Sequence, residues 1–408
     1  NLRPPIETMR IGRLTAEHAG ALVDNIASGV ELASGVERSL LEMAEGVPLF
    51  LEELAKSAVE LTNSGYADEA LRKPLIKVPS SLQSALLARL DRLGEGKRIA
   101  QVAAVIGRDF DVRVLARVAD VSVDALKPQL ERLTEVGLIA PQPFADWPRY
   151  AFTHVLLQEA ASGALLRDSR RRLHARVAET IEETEPTTAT EHPEVLAQHL
   201  DDAGLFERAA DRWLAAGIKV GQTWAKVEAA NMFAKGLECL GRLPPSPHRD
   251  AKELRLELER GDVLYAAYGY VTREGSAAYR NVMRLSEALG DADAAIRALD
   301  GLFGTAFNSA RFDDAEWASN QLIEMGKKQQ NIGALVLGTQ FLGMCSFSRG
   351  RLKLAESYLT EALTHRTNAD AVGSDFPSMS LIYLSWTLQL LGDEQKALAL
   401  YLTAQAEA

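Results

Sequence analysis

Cysteine is nearly absent from this chain. Two occur in 408 residues, Cys239 and Cys345, far apart and without metal-type spacing. That excludes a disulfide scaffold and fits a reducing, cytoplasmic setting with unpaired core thiols. Excess positive charge is lacking too. The net charge is −11, a field that opposes a duplex-binding face. The basic run Arg167–Arg176, "RDSRRRLHAR", reads as a solvated helix face. No stretch approaches the ~20 uninterrupted apolar residues of a membrane span. The opening "NLRPPIETMR" lacks the charged-then-apolar pattern of a signal peptide. The chain starts at Asn and runs to "LYLTAQAEA" without a stop signal, so it reads as a segment of a longer protein. Against these absences, apolar residues make up 47% and charged residues 25%, enough for buried cores. The length predicts two to four domains.

Chemistry-bearing motifs are also missing. There is no HExxH, G-x-S-x-G or dinucleotide fingerprint. "GEGKR" (Gly94–Arg98) contains Gly-Lys, but Arg follows where Ser or Thr must hold Mg²⁺, and no Gly stands five residues before Gly96. It reads as a helix junction. His192 and His199 are seven apart beside Pro193, a poor metal spacing. Glu52-Glu53 falls in the first turn of a helix, where carboxylates complement the helix dipole. No catalytic or metal-binding residue is assigned.

What is there is helical. Leu14–Glu31 reads as a helix with a Thr15 cap, and Ser34–Glu45 as the next. Gly46-Val47-Pro48 breaks the pattern, and Leu49–Leu61 resumes it with Leu49, Phe50, Leu54, Ala58 and Leu61 at helical spacing. Thr62–Pro74 is a polar loop and a first boundary. From Val78, "VPSSLQSALLARLDRL", "KRIAQVAAVIG", "DVRVLARVAD" and a Ser122-capped "SVDALKPQLERLTEVG" predict helices. β-type residues then flank a Pro-rich turn, at Leu138-Ile139 and Tyr150-Ala151-Phe152. Helices followed by a short hairpin outline a winged helix. Two more helices carry the chain to "TEPTTATEHPE" (Thr184–Glu194), a second polar boundary.

Beyond it the chain repeats. Gly or Ala is followed five residues later by Ala at Gly204…Ala209, Ala310…Ala315, Gly350…Ala355 and Gly392…Ala397. The last three alanines are 40 and 42 residues apart, wider than the usual ~34 of a tetratricopeptide (TPR) repeat. The clearest unit runs Trp213, Ala216-Gly217, Val220, Ala229, Phe233, Gly236, with Pro244 after it. This is similar to the W-x2-L-G-x2-Y…A-x3-F signature. Small residues let paired helices approach, large ones plug the gap, and each pair leaves a face that only the next can cover. Arg249–Gly290 is the least regular stretch. The fold class predicted is mainly α: a helical segment, a winged helix with a small β-hairpin, then an α-solenoid of TPR-like repeats.

Two features stand apart. Gly46-Val47-Pro48 puts two backbone punctuators at one corner. His154, in "AFTHVLLQEAA", stands where the second hairpin strand passes into a helix, where backbone N–H groups favour an anion. Local capping is the alternative role for such a histidine.

The order "EGVPLFLEEL", "VPSSLQSALLARLDRL", "AAVIGRDF", "LERLTEVGLI", "FTHVLLQEAA", "RRRLHARVAETIE" resembles the back half of the STAND class of signal-transduction ATPases. It is closest to the bacterial branch downstream of class III adenylate/guanylate cyclase domains. The resemblance covers nearly the whole chain and is most specific from Gly46 to Ala178. It implies the end of an NTPase core plus helical lid over 1–74, a winged helix over 75–184 and TPR-like repeats over 190–408. It also implies roles. Gly46 and Pro48, with Leu49 at the edge, would lie against the adenine and ribose of ATP or ADP. His154 would reach the β-phosphate of ADP, with Phe152 and Val155 at the Met and Asp positions of the family's "MHD" motif. Arg3 in "LRPP" would face the γ-phosphate. The phosphate loop and Mg²⁺ site would lie outside the chain, which would not hydrolyse ATP by itself. The repeats would read a protein or small-molecule signal and control a linked cyclase, with nucleotide-dependent oligomers as one outcome. A transcriptional regulator of the same ATPase type and a TPR scaffold without nucleotide are the other readings.

Overall fold

The computed structural model describes residues 13–30, 36–44, 46–63, 87, 90–143, 147–184, 186–269, 272–365 and 376–407. The protein is mainly α, with twenty helices and one three-stranded sheet among the described residues. It divides into two compact units, Asn1–Pro186 and Thr187–Ala408, a division that falls inside the polar segment 184–194. No described helix is long and apolar enough to cross a membrane.

The first unit opens with α1 (Ala16–Ala27), α2 (Val36–Ala44) and α3 (Pro48–Asn63). Thr15 caps α1 by accepting the His18 N–H. The apolar faces meet in one cluster, Ala19, Val23, Leu40, Ala44, Leu51, Leu54 and Ala55, with Phe50 and Ala58 half-buried at its edge. The buried stripe of α3 is thus centred on Leu51, Leu54 and Ala55. Residues 64–86 carry the predicted loop and most of the next predicted helix, and they lie outside the described residues.

A second module follows. Helix α4 (Glu95–Ile106) is its centre, with Ile99, Ala100 and Val102–Val105 buried. Around it come β1 (Asp109–Asp111), α5 (Val112–Ala119), α6 (Val123–Glu135), β2 (Ile139–Gln142), β3 (Arg149–Phe152), α7 (Val155–Gly163) and α8 (Arg167–Thr184). The hairpin β2–β3 pairs antiparallel, Ile139 opposite Phe152 and Gln142 opposite Arg149. Strand β1, which the sequence reading did not contain, adds to β3 and makes the order β1-β3-β2. It has three residues with one large apolar side chain, too short for an alternation pattern. Phe110 on it is buried against Phe152, ring centroids 6.0 Å apart. "GEGKR" is the helix junction expected: Gly96 is buried, Lys97 pairs with Asp91 and Arg98 donates to the Ala119 carbonyl. Half of the Arg167–Arg176 run is exposed on α8, and His174 within it is buried.

Asp111 ends β1 and caps α5. Its Oδ1 accepts the Arg113 backbone N–H at 2.7 Å, and the Arg113 guanidinium closes on both carboxylate oxygens. Burial works to raise its pKa. The Arg113 hydrogen bonds and the charges of Arg113 and Arg149 outweigh that and hold it below the ordinary carboxylate value. Asp111→Ala should therefore cost about 0.5–2 kcal/mol, the usual range for a lost N-cap. Because the folded pKa is depressed, Asp111 stabilises fully above the unfolded carboxyl pKa of ~4 and loses that effect as pH falls through the folded value. Urea unfolding at pH 7 and pH 3 checks this. The gap between wild type and Asp111→Asn should narrow at the lower pH.

The second unit is a helical array. A short helix, α9 (Pro186–Glu191), occupies part of the predicted linker, with Pro186 at its first position, where a missing N–H costs nothing. Then come α10 (Pro193–Ala203), α11 (Phe206–Gly221), α12 (Lys226–Gly241), α13 (Pro247–Tyr268), α14 (Arg273–Leu289), α15 (Ala292–Asn308), α16 (Phe312–Gln329), α17 (Ile332–Ser348), α18 (Leu352–Thr364), α19 (Phe376–Leu391) and α20 (Glu394–Glu407). Each packs on the next. The alternate helices α11, α13, α15, α17 and α19 also touch one another in series. That layer is the inner one of an α-solenoid.

The five-residue motif has a physical cause. Gly204, Ala310, Gly350 and Gly392 sit at helix-ending turns with φ of +77°, +55°, +73° and +93°. The alanine five residues on is then buried in the next helix: Ala209, Ala315, Ala355, Ala397. Small-against-large packing holds the pairs together. A Cβ on Gly217 would lie 2.4 Å from the Phe233 ring, and one on Gly343 2.6 Å from Leu359. The stretch Arg249–Gly290 obeys the same rule in other positions. Tyr279 of α14 lies against Gly261 of α13 and Gly301 of α15, where a Cβ would come within 2.8 and 2.3 Å of its ring. Cys239 and Cys345 are buried and unpaired, and burial pushes both thiols up to about 12, so they stay protonated at neutral pH.

Candidate functional site

The Gly46–Pro48 corner is tightly specified. Gly46 has φ +74°, the left-handed region that favours glycine. It also lies against the chain entering α1: an added Cβ would fall 2.8 Å from the Leu14 carbonyl oxygen. The Leu14 N–H donates to the Gly46 carbonyl at 2.8 Å. The Val47 N–H closes on Ala44 at 2.8 Å, and Leu51 N–H on Val47 at 3.0 Å. Pro48 is the first residue of α3, where its fixed φ suits a helix start. Its side chain is exposed. Leu49 follows in α3, its side chain outside the description. A packed corner thus presents one rigid pyrrolidine ring to the outside.

His154 is the N-cap residue of α7, with extended backbone (φ −136°, ψ 142°). Its position is fixed from both sides. The Phe152 N–H donates to Arg108, and Thr153 donates through N–H and hydroxyl to Leu138, the hydroxyl also reaching Gly137 at 2.9 Å. On the helix side, Gln158 donates to the Ala104 carbonyl at 2.8 Å and locks α7 on α4. The half-buried imidazole makes no capping hydrogen bond. Local capping, the alternative from the sequence, is not what this side chain does. Beside the sheet lies an open cavity of about 450 Å³ lined by Arg108, Asp109, Gln142 and Thr153 among others.

Among the described residues, no hydrogen bond or ion pair joins the Gly46–Pro48 corner to His154 or α7. Arg3 lies outside the described residues. No group of metal-ligating side chains occurs among the described residues. His192 stands at the N-cap position of α10 without a capping bond, its ring 3.2 Å from the Glu194 carboxylate, while His199 is buried.

In the second unit the inner helices enclose a cavity of about 460 Å³ lined by Asp262, Asp300, Phe303, Phe307, Phe341 and Tyr383 among others. The sequence reading named none of these residues. They come from four helices spread over 122 positions, so no local spacing could reveal them.

No family model matches the chain. A curated protein of Rhizobium meliloti (strain 1021), described as uncharacterized, is 27% identical over 274 residues. The alignment covers 66% of this chain and 25% of that protein, so the chain spans about a quarter of the length of the curated relative it matches. Among solved structures, the apo form of RapI is similar over 49% of this chain and 70% of its own, at 12% identity and a TM-score of 0.43. BtubC of P. vanneervenii matches over 60% of this chain and 91% of its own, at 16% identity and a TM-score of 0.38. A STAND protein with a tetratricopeptide repeat sensor from Pyrococcus horikoshii matches over 97% of this chain and 60% of its own, at 13% identity and a TM-score of 0.34.

Proposed function

We propose that this chain is the regulatory and sensing segment of a STAND-type ATP-binding signalling protein. In this reading α1–α3 form the lid, α4–α8 with the small sheet form the winged helix, and the solenoid is the sensor. His154 carries the proposal. It is a half-buried imidazole held at a helix start and left without a capping bond, as a group reserved for a phosphate would be. The exposed Pro48 ring, on a corner that only Gly46 permits, suits contact with a flat base. Nucleotide held between these groups and an upstream core would favour one arrangement, and its exchange would release another. A partner on the repeats biases that equilibrium only by contacting the two states differently. A linked nucleotide cyclase is the effector that the resemblance favours. The structural features do not favour the DNA-binding alternative: Arg113, the cation 4.9 Å from the hairpin's Trp147, is already paired with Asp111.

The test is a titration of labelled ADP against the protein extended upstream to include its phosphate loop. Pro48→Ala and His154→Ala should each weaken ADP about tenfold, or roughly 1.4 kcal/mol. Unchanged affinity in both variants would favour the scaffold reading.

A further inference from the structure

The cavity of the second unit combines two chemistries. One is aromatic. Phe307 stacks on Phe303 (centroids 5.3 Å, 22°), and Phe303 stacks on Phe341 (3.6 Å, 2°), with Met344 and Met379 beside them. The other is acidic. Asp262 of α13 is already engaged: its Oδ1 accepts the Tyr279 hydroxyl at 2.9 Å and its Oδ2 lies 2.5 Å from Arg297. Asp300 of α15 is not. Among the described residues it makes no hydrogen bond or ion pair, although Arg297 stands one turn away on the same helix.

Charge does not balance here. The groups facing Asp300 are Asp262 and Tyr265 from α13, Tyr279 from α14, Arg297 from α15 itself and Tyr383 from α19; α17 contributes only Gln340, Phe341 and Met344. Tyr279 is pushed far up by burial and by Asp262, so it stays neutral. Two carboxylates therefore face one guanidinium. Asp300 is exposed at the mouth of the hollow, and solvent reaches it. Partial desolvation by the hollow's walls, with the Asp262 charge adding to it, raises its pKa to about 6. At neutral pH the cavity holds one negative charge without a counter-charge, next to rings whose faces attract cations. Its volume is in the range of small-ligand sites, and smaller than a groove for a folded partner.

We propose that this cavity binds a small organic cation, a protonated amine on an aromatic or branched apolar body, with Asp300 as its counter-ion and the Phe303–Phe307–Phe341 column as its wall. The inference deepens the sensor reading and rests on it in one respect only, that binding here is a signal. The binding itself is independent of nucleotide. Because Asp300 must be ionised, amine affinity falls as pH drops through about 6.

The experiment uses the 408-residue chain with ¹³C-methyl methionine labelling, since Met344 and Met379 line the cavity. The probes are 2-phenylethylamine, its neutral analogue 2-phenylethanol and the dipeptide amide Phe-Lys-NH₂. The amine should shift both methyl signals saturably at pH 7.5. The alcohol should bind at least tenfold more weakly, as should the amine to Asp300→Asn and to wild type at pH 5. Asp300→Glu should keep part of the affinity, which separates lost charge from lost fold. Equal affinity for amine and alcohol, or for wild type and Asp300→Asn, overturns the proposal. So does silence at both methionines, or saturable binding of the dipeptide amide alone. Amine binding that leaves nucleotide affinity unchanged in the upstream-extended protein would keep the site and remove the sensor reading.

Discussion

Phe233→Ala should lower the stability of the repeat unit by about 3–5 kcal/mol, the cost of deleting a buried aromatic ring. Phe233 is fully buried on α12 and fills the space that Gly217 leaves on α11. The loss has two parts: the transfer free energy of the ring, and a cavity that two helices already in contact cannot close. Chemical unfolding followed by circular dichroism reads it. Gly217→Ala supplies the control from the other side. Alone it overpacks against Phe233, and combined with Phe233→Ala it part-fills the hole. The double variant should therefore be less destabilised than the sum of the two. Additive effects would mean that the two positions do not share one space.

Gly338→Ala should be the second costly change, and its sign is the informative part. In an open helix Gly→Ala stabilises by about 1 kcal/mol. Here the new Cβ would lie 2.5 Å from the Ser319 carbonyl oxygen, 2.8 Å from Ile323 Cγ1 and 3.0 Å from the Ile323 amide nitrogen. Two of those atoms are backbone of α16 and cannot rotate aside, so α16 and α17 must separate. The net loss should be about 1–3 kcal/mol, the range for overpacking. Gly241→Ala, at the end of α12 with nothing within 4 Å, should be neutral or mildly stabilising in the same unfolding assay. Equal behaviour of the two variants would contradict the close approach.

These positions also show what the sequence could reveal. Caps were legible because they are local: Thr15 and Ser122 both cap the helices they were expected to cap, accepting the His18 and Ala125 N–H groups. The Gly46 corner was legible because left-handed backbone selects glycine. The repeats were legible where small and large residues fall on the tetratricopeptide template, as at Gly217 and Phe233. They were illegible between Arg249 and Gly290, because α13 runs 22 residues and the large residue, Tyr279, is flanked by glycines from two different helices. Strand β1 was lost for want of length. The corner and His154 could be named from motifs, but the missing capping bond at His154 is a matter of side-chain geometry. The aromatic and acidic cavity was invisible altogether, since only the packing of α13, α15, α17 and α19 on one another brings Asp262 and Asp300 to Phe341 and Tyr383.

The central claim is that the repeats set the nucleotide state of the module before them. Coupling of that kind is a free energy, with effects of about 5–150-fold in affinity. The most direct measurement is the ratio of ATP to ADP affinity in the upstream-extended protein, with and without residues 187–408, the second compact unit. The account predicts that removing the repeats changes this ratio at least fivefold, the lower end of that coupling range. An unchanged ratio would contradict it.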